Sequence, residues 1–474
     1  MTTAAWLGVV GPFAAGYAAA AALGVGPRGL RIALGLGWGI GAGSLGYFAR
    51  LVVAGPPGPN TLAVEGVGWL ALAGVGLVAA RRRAVAPTAE ADPPPGPIGG
   101  AAGALLGAAC VGSALVGLAR FAVRAAASPH GTWDAWETWN LRARAIARGG
   151  VHWAEAFGPA FASSHPDYPP MLPMAVARGW AIAGGETTAV PIAIALACAA
   201  ATVGVLVAAL AALRGRDAGR LGGLVLLGTP FFAHSAAMQF ADVPLAGFYL
   251  ATLVAFRLAD ARPGGDARLA ALAGMFAGLA AWTKNEGIVF VGAAVASRAA
   301  VGLIGRPGGW RPVARELAAF AAGLTPGLLA LAWFKLGYAP PNDLVVGQTR
   351  ADWSAKLLDP ARHALILAAF ARQAVGLGEG ASIVLLGYLI LMGRSPRKSA
   401  AIAPALTITL TLVAYYFVYL SSPRHLPWHL QWSADRLFLQ LWPAAILTFF
   451  LAAAAPSEAN TRRASAEPGR SGPS

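Results

Sequence analysis

Asp134 and Glu137 stand three residues apart in the run Trp133-Asp134-Ala135-Trp136-Glu137-Thr138-Trp139-Asn140, within a chain that is otherwise almost wholly apolar. A carboxylate in such a place can serve as a general base or as a ligand to a metal or substrate. A second unusual run is His165-Pro166-Asp167-Tyr168-Pro169-Pro170. Asp242 follows in Ala241-Asp242-Val243-Pro244-Leu245, and Lys284 and Glu286 in Trp282-Thr283-Lys284-Asn285-Glu286-Gly287. Lys284 offers a point charge to a phosphate. Near the end, Arg424, His425, His429 and Arg436 fall within sixteen residues, Ser421 to Arg436, and together would cradle a dianion.

Each of these also has a plainer reading. Asp134 with Glu137 three residues on fits a helix capping pattern. Asp242 can cap the helix it opens. Lys284 and Glu286 can neutralise each other at a bend, and Tyr168-Pro169-Pro170 can simply set a helix start. The Ser421–Arg436 stretch can be an interfacial loop with aromatic anchors.

The elements that must position these residues are membrane helices. The chain is 57% hydrophobic and 12% charged, where a soluble domain carries about 25% charged residues. Apolar runs of about 20 residues recur from end to end, so the fold class is an all-α polytopic membrane protein. The net charge of +15 is not a nucleic-acid signal. The arginines cluster in short connectors (Arg81 to Arg83, Arg214 to Arg220, Arg257 to Arg268, Arg306 to Arg315, Arg394 to Lys398, Arg462 and Arg463), which is the positive-inside pattern. Cys110 and Cys198 lie inside apolar runs, without disulfide or metal spacing. The first helix carries no cleavage pattern and is expected to remain in the protein.

The order of runs predicts an outer N-terminus and three helices over 1–83, then an inner linker over 84–97 rich in Ala, Pro and Gly. The main body covers 98–456, and a polar inner tail, expected to be disordered, covers 457–474. Residues 124–170 form the first long outer loop, with an amphipathic helix from Asp134 to Ala147 lying flat at the interface. Charge parity then requires that 171–184 does not cross, because otherwise Arg214 to Arg220 would fall outside. Runs 188–213, 220–236 and 243–258 cross, 268–303 makes a hairpin bent at Lys284, and 337–375 is a second outer loop. The total is roughly thirteen crossings. On this map Asp134, Glu137, His165, Asp167, Tyr168, Asp242, Lys284, Glu286, Arg424, His425, His429, Asp435 and Arg436 all share the outer face.

On these motifs the chain resembles the GT-C membrane glycosyltransferases. It is most similar to the branch holding protein O-mannosyltransferases, lipid A aminoarabinose transferases and Rgt-type lipopolysaccharide-core transferases. The resemblance covers roughly 98–455 and rests on Asp134-Ala135-Trp136-Glu137, Tyr168-Pro169-Pro170, Asp242, the Thr283-Lys284 bend and Arg436. Residues 1–80 precede the usual start of that family. Asp134-Ala135-Trp136-Glu137 replaces its Asp-Glu dipeptide, which leaves either acid as the counterpart.

The resemblance implies a GT-C bundle in a bacterial cytoplasmic membrane, with the active site facing outside. It implies inverting transfer of a sugar from a polyprenyl-phosphate donor to a hydroxyl on a glycolipid, polysaccharide or protein. Asp134, Glu137 and Asp242 would be the catalytic acids. His165, Asp167, Tyr168, Lys284, Glu286, Arg424, His425, His429 and Arg436 would meet the substrates. A divalent metal ion bridging Asp134 and Asp242 is possible in that fold but not required. The competing reading is a transporter or flippase, since polar residues inside a helical bundle also line pathways.

Overall fold

The structure is a computed structural model that describes residues 3–58, 61–82, 98–305, 309–342, 344, 346–378, 380–396, 398–456 and 458–459. The linker expected over 84–97 lies outside the described residues, as does all but 458–459 of the tail. The chain folds into α1 (Thr3–Ala22), α2 (Arg28–Ala54), α3 (Thr61–Arg82) and α4 (Gly100–Ala127), followed by the first loop with α5 (Asn140–Gly149). Next come α6 (Met171–Ala183), α7 (Ala189–Arg214), α8 (Arg216–Leu227), α9 (Pro230–Ala237), α10 (Asp242–Asp260), α11 (Ala267–Thr283) and α12 (Asn285–Gly305). The rest is α13 (Trp310–Gly337), α14 (Arg350–Leu358), α15 (Pro360–Gly376), α16 (Ala381–Met392), α17 (Ile402–Ser421) and α18 (Leu426–Ala452). Helices satisfy their own backbone groups, which lipid cannot do.

The protein is a multi-pass membrane protein. Among the described residues, nine helices are long and apolar enough to cross: α2, α3, α4, α7, α10, α12, α13, α17 and α18. A tenth arises if α15 and α16, bent by 67°, count as one span. The expected total of roughly thirteen exceeds this count; the apolar stretches Trp6–Ala22 within α1, Met171–Ala183 and Ala267–Thr283 are shorter. At thirteen residues α6 is about 20 Å long, less than the hydrocarbon thickness of about 30 Å.

Three expectations are corrected. The run 220–236 is not one helix but α8 and α9, broken at Gly228 and Thr229. Pro230 opens α9 and has no N–H to carry the ladder on, while Thr229 Oγ1 bonds to the Val225 carbonyl and accepts from Trp442 of α18. The stretch 337–375, expected as an outer loop, contains α14, opened by a reciprocal Thr349–Asp352 cap, and α15, capped by Asp359. The Ser421–Arg436 connector is mostly helix: Pro427 falls in the first turn of α18, and Arg436 is already inside it.

Packing is centred on α10 and α11. Nearly every residue of α11 is buried, which is how a helix apolar on all sides is accommodated. It meets α13 at backbone distance: a Cβ on Gly274 would stand 1.9 Å from the Phe320 carbonyl oxygen. Small residues at such seams let membrane helices reach van der Waals contact. Helix α2 packs on α6, α7 and α1, and α3 packs on α1.

The charged groups divide between the two ends of these helices. At one end Arg298 holds Asp260 at 2.6 Å and Glu316 at 2.6 Å, and Arg257 holds Asp260 at 2.8 Å. There too Arg214 holds Glu458 at 2.8 Å and donates to the carbonyls of Phe450 and Ala453. The sequence-predicted acids and bases gather at the other end. Asp242 and Asp260 are the first and last residues of α10, about 27 Å apart along its axis.

Candidate active site

Asp134 opens a π-helical turn, Asp134–Trp139, rather than the α-helix expected from its spacing. The wider turn brings residue i+5 back over residue i. The Trp139 indole N–H, fully buried, therefore donates to Asp134 Oδ2 at 2.7 Å. Asp134 does not cap this turn: its neighbour Trp133 occupies the cap position, and no side-chain cap bond forms. The carboxylate faces inward to Arg436 instead.

Arg436 is the hub. Its Nη1 and Nη2 donate to Asp134 Oδ1 and Oδ2 at 2.9 and 3.1 Å, a forked pair. Its Nε and Nη2 reach Asp242 Oδ2 at 2.8 and 2.7 Å. One guanidinium thus joins two carboxylates that are 108 positions apart in the sequence, a geometry only arginine supplies. Asp242 is wholly buried, and its other oxygen accepts from Lys284 Nζ at 2.9 Å and Gln440 Nε2 at 2.6 Å. Tyr415 donates to Gln440 Oε1 at 2.7 Å and holds that amide in place. Asp242 makes no side-chain cap bond either.

Lys284 occupies one extended residue, φ −150° and ψ 161°, between α11 and α12. Gly287 permits the bend, since a Cβ there would stand 2.0 Å from the Ala280 carbonyl oxygen. The ammonium sits between Asp242 and Glu286, the latter at 2.9 Å, and lies 5.7 Å from the centre of the Tyr168 ring. The cluster therefore holds three carboxylates against two cations.

The Tyr168-Pro169-Pro170 motif is wedged beside it. Tyr168 stacks on Trp139 (5.9 Å) and on His165 (5.2 Å). Burial pushes its phenol above the usual range, so it stays protonated. Arg142, lowered to about 10 by burial, donates to the Tyr168 carbonyl at 2.9 Å. His165 holds a left-handed backbone at φ 51°, and Gln239, which accepts from Asn140 at 2.8 Å, does so at φ 62°. Such strain persists only where surroundings enforce it.

Not every expected residue joins the cluster. Glu137 accepts from Ser163 at 2.9 Å within the first loop. Asp167 is buried and accepts from Asn285 and Asn342 at 2.8 and 3.0 Å, so it braces the residue next to Lys284. Lys335 bridges the Asp167 carbonyl and Asn285. The four residues expected to cradle a dianion have different partners. His429 bonds to Ser422, Arg424 lies over Trp428, and His425 precedes α18. His429 is two helical turns before Arg436, about 10 Å along α18.

Metal bridging of Asp134 and Asp242 does not fit these residues. Arg436 already stands between the two carboxylates, and among the described residues no group of three His, Cys, Asp or Glu converges for a metal. Sequence reasoning missed Gln440, Asn285, Lys335, Asn342 and Arg142. Gln440 carried a usable signal: it is four residues beyond Arg436 in an apolar run, hence on the same helix face.

A small apolar hollow lies beside Trp139, lined by Val176, Pro191, Ile194, Phe240 and Val243. Residues 165–334 match the family described as dolichyl-phosphate-mannose-protein mannosyltransferase. That span contains the Tyr168-Pro169-Pro170 motif, Asp242, Lys284 and Glu286, and excludes Asp134 and Arg436. No curated protein and no solved structure matches the chain.

Proposed function

We propose that this chain, a membrane glycosyltransferase of the dolichyl-phosphate-mannose-protein mannosyltransferase family over residues 165–334, moves a sugar from a polyprenyl-phosphate donor to a hydroxyl acceptor at the outer face of a bacterial cytoplasmic membrane. The acceptor class is a glycolipid, an envelope polysaccharide or a protein. The family match favours this over the transporter. The observation that carries the mechanism is the Arg436 fork between Asp134 and Asp242, with Lys284 alongside. The arginine-rich helix ends lie about a bilayer away, and the positive-inside rule makes them cytoplasmic.

An anionic donor must compete for these cations. Asp242 is wholly buried and has four donor contacts, whereas Asp134 sits at the rim with its side chain 17% exposed. The donor phosphate therefore takes the Arg436 fork from Asp134, while Asp242 keeps Arg436 and Lys284 in position. The displaced Asp134 is then free as the base. The acceptor oxygen attacks the anomeric carbon and its proton passes to Asp134. The bond from that carbon to the phosphate oxygen breaks, its electron pair leaving with polyprenyl phosphate. Arg436 and Lys284 stabilise the growing phosphate charge.

The test is Asp134→Asn in reconstituted membranes given a labelled polyprenyl-phosphate sugar. The expected result is a loss of transfer of about 10² to 10⁴ with normal expression and melting. Turnover at the wild-type rate would overturn the assignment, and would shift it to Glu137 if Glu137→Gln alone were inactive.

A further inference from the structure

The cluster has one surplus carboxylate. Every oxygen of Asp134 and Asp242 accepts at least one charged donor. Glu286 uses Oε1 for Lys284, and its Oε2 is buried with no hydrogen-bond partner among the described residues. A carboxylate oxygen in that state is costly, because burial removes water and no donor replaces it. Its charge also opposes an incoming phosphate at the same lysine. The side chain is 18% exposed, so the group stands at the edge of the cluster rather than in the packed core.

A ligand that presents hydroxyl donors beside a phosphate removes both penalties. In a sugar phosphate the ring hydroxyls lie within a few bonds of the phosphate. If Lys284 and Arg436 hold the phosphate, the ring falls within reach of a carboxylate bound to that same ammonium. Resting on the donor reading above, we propose that Glu286 Oε2 accepts a hydrogen bond from a ring hydroxyl of the donor sugar and is the residue by which the site distinguishes the sugar-bearing lipid from the bare lipid phosphate.

This assignment sets two effects in opposite directions. Glu286→Gln removes a charge that repels phosphate and a strong acceptor for the sugar. Binding of a short-chain polyprenyl phosphate should stay equal or tighten. Binding of the same lipid carrying mannose should weaken by about tenfold to a hundredfold, the usual effect of losing a hydrogen bond to a charged group. Both affinities are read in nanodiscs by competition. Glu286→Asp keeps the charge pair with Lys284 but withdraws the free oxygen by one methylene. It should lose sugar preference without changing lipid-phosphate binding, and it serves where Glu286→Gln does not fold. Loss of both ligands together would make Glu286 only the counter-ion of Lys284 and overturn the proposal. No change in either would overturn it too. If the wild-type protein bound neither lipid, the donor reading itself would fail, a result distinct from both.

Discussion

At the residue scale, the site is organised by one guanidinium. Arg436 spends three N–H groups on two carboxylates that come from the first loop and from α10. Lysine at this position keeps the charge and loses the fork. Arg436→Lys should therefore keep the protein folded while lowering kcat/KM by about 10² or more, measured with the labelled donor. Arginine-like activity in that variant would show that point charge alone suffices. Asp242 has a different role, since it is the wholly buried anion between two cations. Asp242→Ala leaves Arg436 and Lys284 without it, and breaking a buried pair in this way costs about 3–5 kcal/mol. The expected outcome is a marked fall in melting temperature in detergent, where Asp134→Asn shows little.

At the element scale, α2 reaches into the site. Ser44, fully buried, donates to the Met171 carbonyl at 2.8 Å and accepts from the Trp282 indole at 3.1 Å. Met171 directly follows the Pro-Pro motif, and Trp282 is two residues before Lys284. One turn along α2, Phe48 packs on Trp282 at 5.0 Å. A helix outside the family-matched span thereby ties together the two motifs that flank the proposed phosphate site. Ser44→Ala leaves the Trp282 N–H and a carbonyl without this partner, a loss of about 1–3 kcal/mol. Donor KM should rise several-fold while kcat changes little, because the lysine is displaced rather than removed. Unchanged kinetics with a lowered melting temperature would mean that Ser44 only supports the fold.

At the scale of the whole molecule, the question is orientation. The ion-paired ends of α10, α12 and α18 lie opposite the Asp242 cluster. Ser163 and Arg216 are both exposed, the first in the loop between α5 and α6 and the second at the start of α8. With Cys110 and Cys198 replaced, a cysteine at Ser163 should react with an impermeant reagent added outside, and one at Arg216 should not. Labelling at Arg216 from outside would place the arginine-rich end on the same side as the reagent. It would also mean that α6 crosses, and the topology proposed here would fall.

By itself the sequence determined the class of the protein and singled out acids and bases that the structure brings together. Long apolar runs admit helices in lipid and nothing else, and ionisable residues in such a chain are too costly to be incidental. Asp134, Asp242, Lys284, Glu286 and Arg436 were therefore legible as a set. Their pairing was not. Asp134 looked like a helix cap because a three-residue spacing assumes an α-helix, and the π turn changes which residue stands above it. The Ser421–Arg436 stretch looked like a loop because it is polar, yet it folds as α18, and that places Arg436 between the acids and leaves His429 two turns away. Asn285 and Lys335 carried no separate signal, and only the close approach of α12, α13 and the first loop makes them partners of Asp167. Residue type and spacing along one helix report on local faces. Which faces meet is set by how glycine seams and buried ion pairs bring distant helices together, and that was decided in three dimensions.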